Sequence, residues 1–223
     1  MKRLVAVLMG GLSGERKISF LTGKACSNAL KKKGYKVINI DTKNKFIEKL
    51  KKLKPKVIFN ALHGKYGEDG YTQSILEYLK IPYTHSGITS SSLAMNKELS
   101  KVIFQKNKIL VPKSFIIKKN DNINSKVKKV KNKIKFPVVI KPTNEGSSLG
   151  VFICNNTKTL KNKFKILSKF YRRILVEQYI PGREIQVAVM GNTSLGAIEL
   201  VPKRKFYDYK AKYSSSAKTK HIM

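Results

Sequence analysis

Three short strings in this chain combine charged or hydroxylic side chains with glycine, in spacings suited to an ammonium group, a phosphate and a purine. The first is Gly10-Gly11-Leu12-Ser13-Gly14-Glu15, which follows an apolar run and precedes a helical pattern. Its carboxylate therefore falls at a helix N-terminus, where anions collect; a fixed acid there repels phosphate but suits an ammonium. The bland alternative is that Glu15 stabilises only its own helix, by about 0.3 to 1 kcal/mol. The glycines also come near a dinucleotide-binding fingerprint, with Asp41 at the end of the second strand where a ribose-binding acid would stand. The spacing does not fit, however, because the fingerprint is G-x-G-x-x-G.

The second string is Lys141-Pro142-Thr143-Asn144-Glu145-Gly146-Ser147-Ser148-Leu149-Gly150. A lysine at a strand end supplies a compact positive charge, and the loop behind it offers consecutive backbone amides and hydroxyls that can close over a triphosphate. It is not a Walker loop, and a plain tight turn is the competing reading. The third string, Val176-Glu177-Gln178-Tyr179-Ile180 followed by Pro181-Gly182-Arg183-Glu184, places a carboxylate and two backbone edges where a strand passes into a linker. Adenine needs an acceptor for its amino group and a donor for its ring nitrogen. Read alone, the segment is equally well an exposed strand end.

These strings need elements to hold them. Lys2 to Met9 reads as a buried strand, Lys17 to Lys33 as a helix, Tyr35 to Ile40 as a second strand, Lys45 to Leu53 as a short helix and Val57 to Leu62 as a third strand. That alternation implies a parallel sheet whose loops GGLSGE and HGKYGEDG share the carboxyl edge. A helix from Thr72 to Leu79, a brief strand at Pro82 to Thr84 and a helix start at Ser90 to Met95 follow, with a domain boundary near Ser86. Beyond it, a helix at Lys97 to Asn107 and strands at Ser114 to Ile117, Pro137 to Lys141, Gly150 to Cys154 and Ile174 to Glu177 have α+β character. Strands at Glu184 to Met190 and Leu195 to Leu200 come next, and Ser214 to Met223 reads as a polar tail with no further core strand.

The formal net charge of +34 points to nucleic acid when taken alone. Its distribution argues otherwise: lysine is spread along every helix and loop, arginine is scarce, and no aromatic platform or zinc spacing accompanies it. A nucleic-acid module rests on charge alone. With 13 acids against 47 basic residues, the acids become informative, and Glu15, Glu68, Asp69, Glu145, Glu177, Glu184 and Asp208 all fall in motifs. Cys26 and Cys154 fit no disulfide framework or metal spacing and read as free buried thiols. No run approaches the roughly 18 to 20 apolar residues of a membrane span, and the N-terminus does not read as a signal peptide, so a cytoplasmic location is expected.

Taken in order with Ala61-Leu62-His63-Gly64-Lys65-Tyr66-Gly67-Glu68-Asp69-Gly70 and Phe206-Tyr207-Asp208-Tyr209-Lys210-Ala211-Lys212-Tyr213, the chain resembles the D-alanine-D-alanine ligases of the ATP-grasp superfamily along essentially its whole length. The resemblance implies an α/β fold, with an N-terminal parallel-sheet (Rossmann-like, pre-ATP-grasp) domain over 1–86. An incomplete α+β ATP-grasp fold would follow, its central part at 87–180 and the start of its C-terminal part at 181–223. It implies that Lys97 and Lys141 contact ATP phosphates, that the loop with Glu145, Ser147 and Ser148 covers them, and that Lys212 reaches the γ-phosphate. Glu177, Gln178, Ile180 and Glu184 would hold adenine and ribose. Glu15 would take the ammonium of the first D-alanine, with His63 near the substrates, and Ser147 and Tyr213 would hydrogen-bond toward Glu15 and keep the loop closed. The implied reaction joins two D-alanines through an acyl phosphate for peptidoglycan synthesis, with Mg²⁺ or Mn²⁺ beside ATP. A homodimer through the first domain is the family's habit.

The family's pattern continues past the Lys-Tyr string with an oxyanion arginine and an Asp, Glu and Asn set for magnesium, and none of these follows Tyr213 here. The expectation is a C-terminally truncated member, without metal ligands and catalytically silent or nearly so. Other readings are another ATP-grasp carboxylate-amine ligase, a non-catalytic nucleotide or D-alanine binder and, more distantly, a nicotinamide dehydrogenase.

Overall fold

The computed structural model describes residues 3–203, 207 and 209–223; Phe206 and Asp208 of the Lys-Tyr string lie outside the described residues. The chain divides into two compact units, Met1–Ile103 with Asn144–Gly146, and Phe104–Thr143 with Ser147–Met223.

The first unit is built on β1 (Leu4–Met9), β2 (Lys36–Asp41) and β3 (Val57–Asn60), all parallel in the order β2-β1-β3. A central parallel strand is covered on both faces, which is why β1 is a continuous apolar run. Ala6 and Leu8 pack with Ile40, Leu50, Ile58 and Leu76 on one side, and Val7 and Met9 with Ala61, Phe20 and Phe59 on the other. Helix α1 (Arg16–Lys32) meets the sheet through Ser19, Gly23 and Ser27, one turn apart. The small face is required, since a Cβ on Gly23 would stand 2.5 Å from the Met9 Cε. Helices α2 (Phe46–Leu53), α3 (Tyr71–Tyr78) and α4 (Ile88–Met95) follow, and α5 (Lys97–Lys106) runs across the division. Instead of a strand at Pro82 to Thr84 there is a single parallel bridge between Tyr83 and Ile58.

In the second unit β4 (Ser114–Lys118), β5 (Val138–Pro142), β6 (Phe152–Cys154) and β7 (Arg173–Gln178) form an antiparallel sheet in the order β4-β7-β5-β6. Helices α6 (Ile123–Lys133) and α7 (Thr157–Leu167) start at Asn122 and Asn156, whose side chains cap the first-turn amides. They bury Val127, Val130, Leu160, Phe164 and Leu167 against Val138, Ile140, Ile174 and Val176. The strands alternate, so Val139, Lys141, Leu175 and Glu177 stand on the opposite face. Cys154 is fully buried, and burial pushes its thiol up to about 11; Cys26 is only partly buried.

A second antiparallel sheet of this unit holds β8 (Glu184–Met190), β9 (Thr193–Val201) and β10 (Lys220–Ile222) in the order β10-β9-β8. The tail is thus not simply polar coil: Lys220 to Ile222 pair with Glu199 to Val201. All three residues are exposed, so pairing here comes from main-chain hydrogen bonds, which leave no apolar pattern to read. Every residue of β8 is exposed as well. Helix α8 (Tyr209–Tyr213) lies between β9 and β10 in the chain.

Candidate functional site

In the first unit, the groups singled out from the sequence gather at the carboxyl ends of the strands. Glu15 precedes α1 and is 2% exposed. Ser13 fixes the turn: its hydroxyl accepts from the Glu15 amide at 3.1 Å and donates to the His63 carbonyl at 2.8 Å. Ser19 joins two strand ends, accepting from the Gly10 amide at 2.8 Å and donating to the Ala61 carbonyl at 2.7 Å. Gly10 and Gly11 take φ of +77° and +76°, which glycine adopts freely. The Glu15 carboxylate lies so near Gly64 that a Cβ there would come within 2.6 Å of Oε2, and one on Gly146 within 3.3 Å. The His63 Nε2 is 2.9 Å from the Thr22 hydroxyl. The Lys97 ammonium donates to the Glu145 carbonyl.

The fold gives two acids of this unit partners that the sequence does not show. Asp41, placed where a ribose-binding acid would stand, is held by Arg16 through two hydrogen bonds of 2.8 and 2.5 Å and accepts from the Gly11 amide. The Arg16 hydrogen bond holds its carboxyl well below the usual range. This acid is a structural brace of the loop, and the dinucleotide reading loses its ribose ligand. Glu68 accepts from the Gly64 amide at 2.8 Å. Burial pushes its carboxyl up, the Gly64 amide and the His63 and His85 charges oppose that, and Glu15 adds to it. Its place in HGKYGEDG was visible, but its approach to Gly64 depends on the turn after β3.

In the second unit, Lys141 on β5 forms an ion pair with Glu177 on β7, their side chains 21% and 10% exposed. Lys141 stands opposite Leu175 and Glu177 opposite Val139, so the two acid-base partners are diagonal neighbours on one face. The Gln178 amide donates to the Lys113 carbonyl, and Ile180 is 56% exposed. Residues 147 and 148 are serines at φ of +47° and +60°, a region that favours glycine. They are held from afar: the Ser147 and Tyr213 hydroxyls are 2.5 Å apart, and the Ser148 hydroxyl donates to the Tyr207 carbonyl at 3.1 Å. The Lys212 ammonium sits 5.2 Å from the centre of the Tyr207 ring. Desolvation by neighbouring groups raises the Glu184 carboxyl, exposed as the residue is, and the Lys212 charge opposes that. Tyr207 in turn is raised by burial and by Glu184. Ser147, Ser148, Lys212, Tyr213 and Glu184 are thereby linked through one segment, while Glu15 and His63 belong to the other unit.

The family described as D-ala D-ala ligase C-terminus matches residues 103–223, and D-ala D-ala ligase N-terminus matches residues 41–86. The D-alanine–D-alanine ligase of Pelagibacter ubique (strain HTCC1062) is 56% identical over 223 residues, covering 100% of this chain and 73% of the relative. That of Wolbachia pipientis wMel is 45% identical, covering 94% of this chain and 65% of the relative. The crystal structure of the D-alanine–D-alanine ligase from Bacillus anthracis matches with a TM-score of 0.81 at 32% identity, over 99% of this chain and 71% of that one. The structure of the same ligase complexed with ATP gives 0.80 at 29%, over 98% and 69%.

Proposed function

Because the chain belongs to the D-alanine-D-alanine ligase family, we propose that it binds ATP and D-alanine and serves the ATP-dependent joining of two D-alanines for peptidoglycan, in the cytoplasm. The observation that carries this reading is the clasp between the serine loop and the segment bearing Lys212, made by Ser147 with Tyr213 and Ser148 with Tyr207. Loop amides and the Lys212 ammonium then address one phosphate chain. Such preorganised donors stabilise phosphoryl transfer by positioning and charge neutralisation rather than by covalent chemistry.

On this reading Lys97, Lys141 and the loop with Glu145 contact the phosphates, while Gln178, Ile180 and Glu184 line the nucleoside and Glu177 stands next to it, paired with Lys141. Glu15, with its buried carboxylate at the start of α1, takes the ammonium of the first D-alanine beside His63. The carboxylate of that D-alanine attacks the γ-phosphorus of ATP, giving an acyl phosphate and ADP. The amine of the second D-alanine displaces phosphate and loses a proton. Segments 1–86, 87–180 and 181–223 divide these tasks as amino-acid, nucleotide and phosphate-closing parts. A dimer through the first of them fits the family. Magnesium or manganese would supply charge between the phosphate oxygens, but no three His, Cys, Asp or Glu side chains among the described residues come together to hold a metal, and the steps above use none.

The test is calorimetric titration of ATP, then of D-alanine, at physiological salt, followed by an assay of D-alanine-dependent phosphate release. Saturable ATP binding is expected, weakened about tenfold in Lys212→Ala. Nucleotide binding that vanishes at this salt, as incidental association of polyanions with a lysine-rich surface does, would sink the proposal.

A further inference from the structure

Resting on the nucleotide reading above, we infer that Glu177 is a positioning residue for phosphate: its carboxylate holds the Lys141 ammonium where the phosphate chain meets it. The family resemblance alone would assign this acid to the adenine. The geometry gives it a different first partner, since Lys141 and Glu177 form a largely buried ion pair across adjacent strands. Both residues stand on the sheet face away from the helix-packed core.

The chemistry of lysine explains why such a partner is useful. A four-carbon stem leaves the ammonium free to wander, and ordering it on ligand binding costs rotamer entropy. The carboxylate orders it beforehand. An ammonium has three donors, so contact with a carboxylate leaves capacity for a phosphate oxygen. Lys141 also stands at the junction of rigid strand and loop, one residue before β5 ends at Pro142. Burial raises the stakes, because the charge of either residue is costly when its partner is removed.

The experiment compares adenosine with ADP, measured calorimetrically on the whole chain. Glu177→Gln keeps an acceptor for an amino group but removes the charge that holds the lysine. It should weaken ADP at least about tenfold and adenosine less than about threefold, and Lys141→Gln should show the same split. In the double variant, loss of Glu177 should add less than about twofold to the ADP effect of Lys141→Gln. Equal losses for adenosine and ADP would make Glu177 a base ligand and overturn the inference. Tighter ADP binding would overturn it too, by showing that the acid masks the lysine. Should melting reveal that Glu177→Gln does not fold, Glu177→Asp, which keeps the charge but retracts it, must show the same split in milder form. A parent chain that binds neither ligand removes the nucleotide reading; a parent that binds ADP while the variants show no split removes only this inference.

Discussion

The two glycine-containing loops reach unusual backbone conformations by opposite routes. In the first, glycines carry the positive φ angles, and Ser13, Arg16 and Ser19 tie the loop to the ends of β2 and β3 through Asp41, Ala61 and His63. In the second, Ser147 and Ser148 carry them together with Gly150, and the serine hydroxyls reach residues 66 and 59 positions away. The first loop is set by its glycines and by buried contacts with the strand ends beneath it. The second is set by contacts that can be made or released, which on the proposed function suits a segment that admits a nucleotide and then encloses it.

The largest test of this contrast is Gly10→Ala. A Cβ there would lie 2.5 Å from Asp41 Oδ1 and 2.8 Å from Phe20 Cζ, at a φ that alanine avoids. Denaturant unfolding should show a loss of about 3 kcal/mol. A loss under about 1 kcal/mol would mean that the first loop is adaptable as well.

Asp41→Asn comes next, at about 1 to 2 kcal/mol near neutral pH. The folded carboxyl lies below its unfolded value because of the Arg16 hydrogen bond. Its contribution is therefore present above the unfolded pKa, near 4, and is lost as pH falls through the folded one. Melting curves of parent and variant should converge in acid; a constant gap down to the lowest accessible pH would assign the effect to packing.

For the second loop, a cycle of Ser147→Ala and Tyr213→Phe should give a coupling of about 1 kcal/mol in stability. Protease cutting between 144 and 150 should rise in both single variants. Additive effects would remove the clasp. The smallest effect belongs to Ser148. Its Gly variant relieves the positive φ but loses the hydroxyl, and should stay within about 0.5 kcal/mol of the parent, whereas Ser148→Ala loses the hydroxyl alone and should cost about 1 kcal/mol.

Much of the fold was legible because burial writes a period into the chain. Leu4 to Met9 could be little else than a central strand, and the alternation of strands and helices up to Asn60 set the parallel sheet. The Lys141 string reads as a phosphate loop from its residue types, whereas a phosphate role for Lys212 comes only from the family resemblance. What escaped was pairing. Asp41 stood in plausible spacing for a ribose, and only the fold shows Arg16 grasping it. Lys141 and Glu177 were read as ligands of different parts of a nucleotide because strand register, which makes them neighbours, is invisible without the partner strand. The strand at Lys220 to Ile222 escaped for the same reason: its hydrogen bonds belong to the backbone and carry no signature in residue type.

The exposed hairpin has a consequence for handling the molecule. Among the described residues β8 pairs on one side only, and Ile185, Val187 and Val189 are 48%, 57% and 66% exposed along it. An apolar edge of this kind is a template for strand addition by another chain. What opposes assembly is the +34 net charge, which keeps copies apart while their fields are unscreened. Salt shortens that repulsion to roughly 8 Å at physiological strength. Self-association should therefore grow with added salt, and light scattering against ionic strength would find this protein most dispersed in dilute buffer.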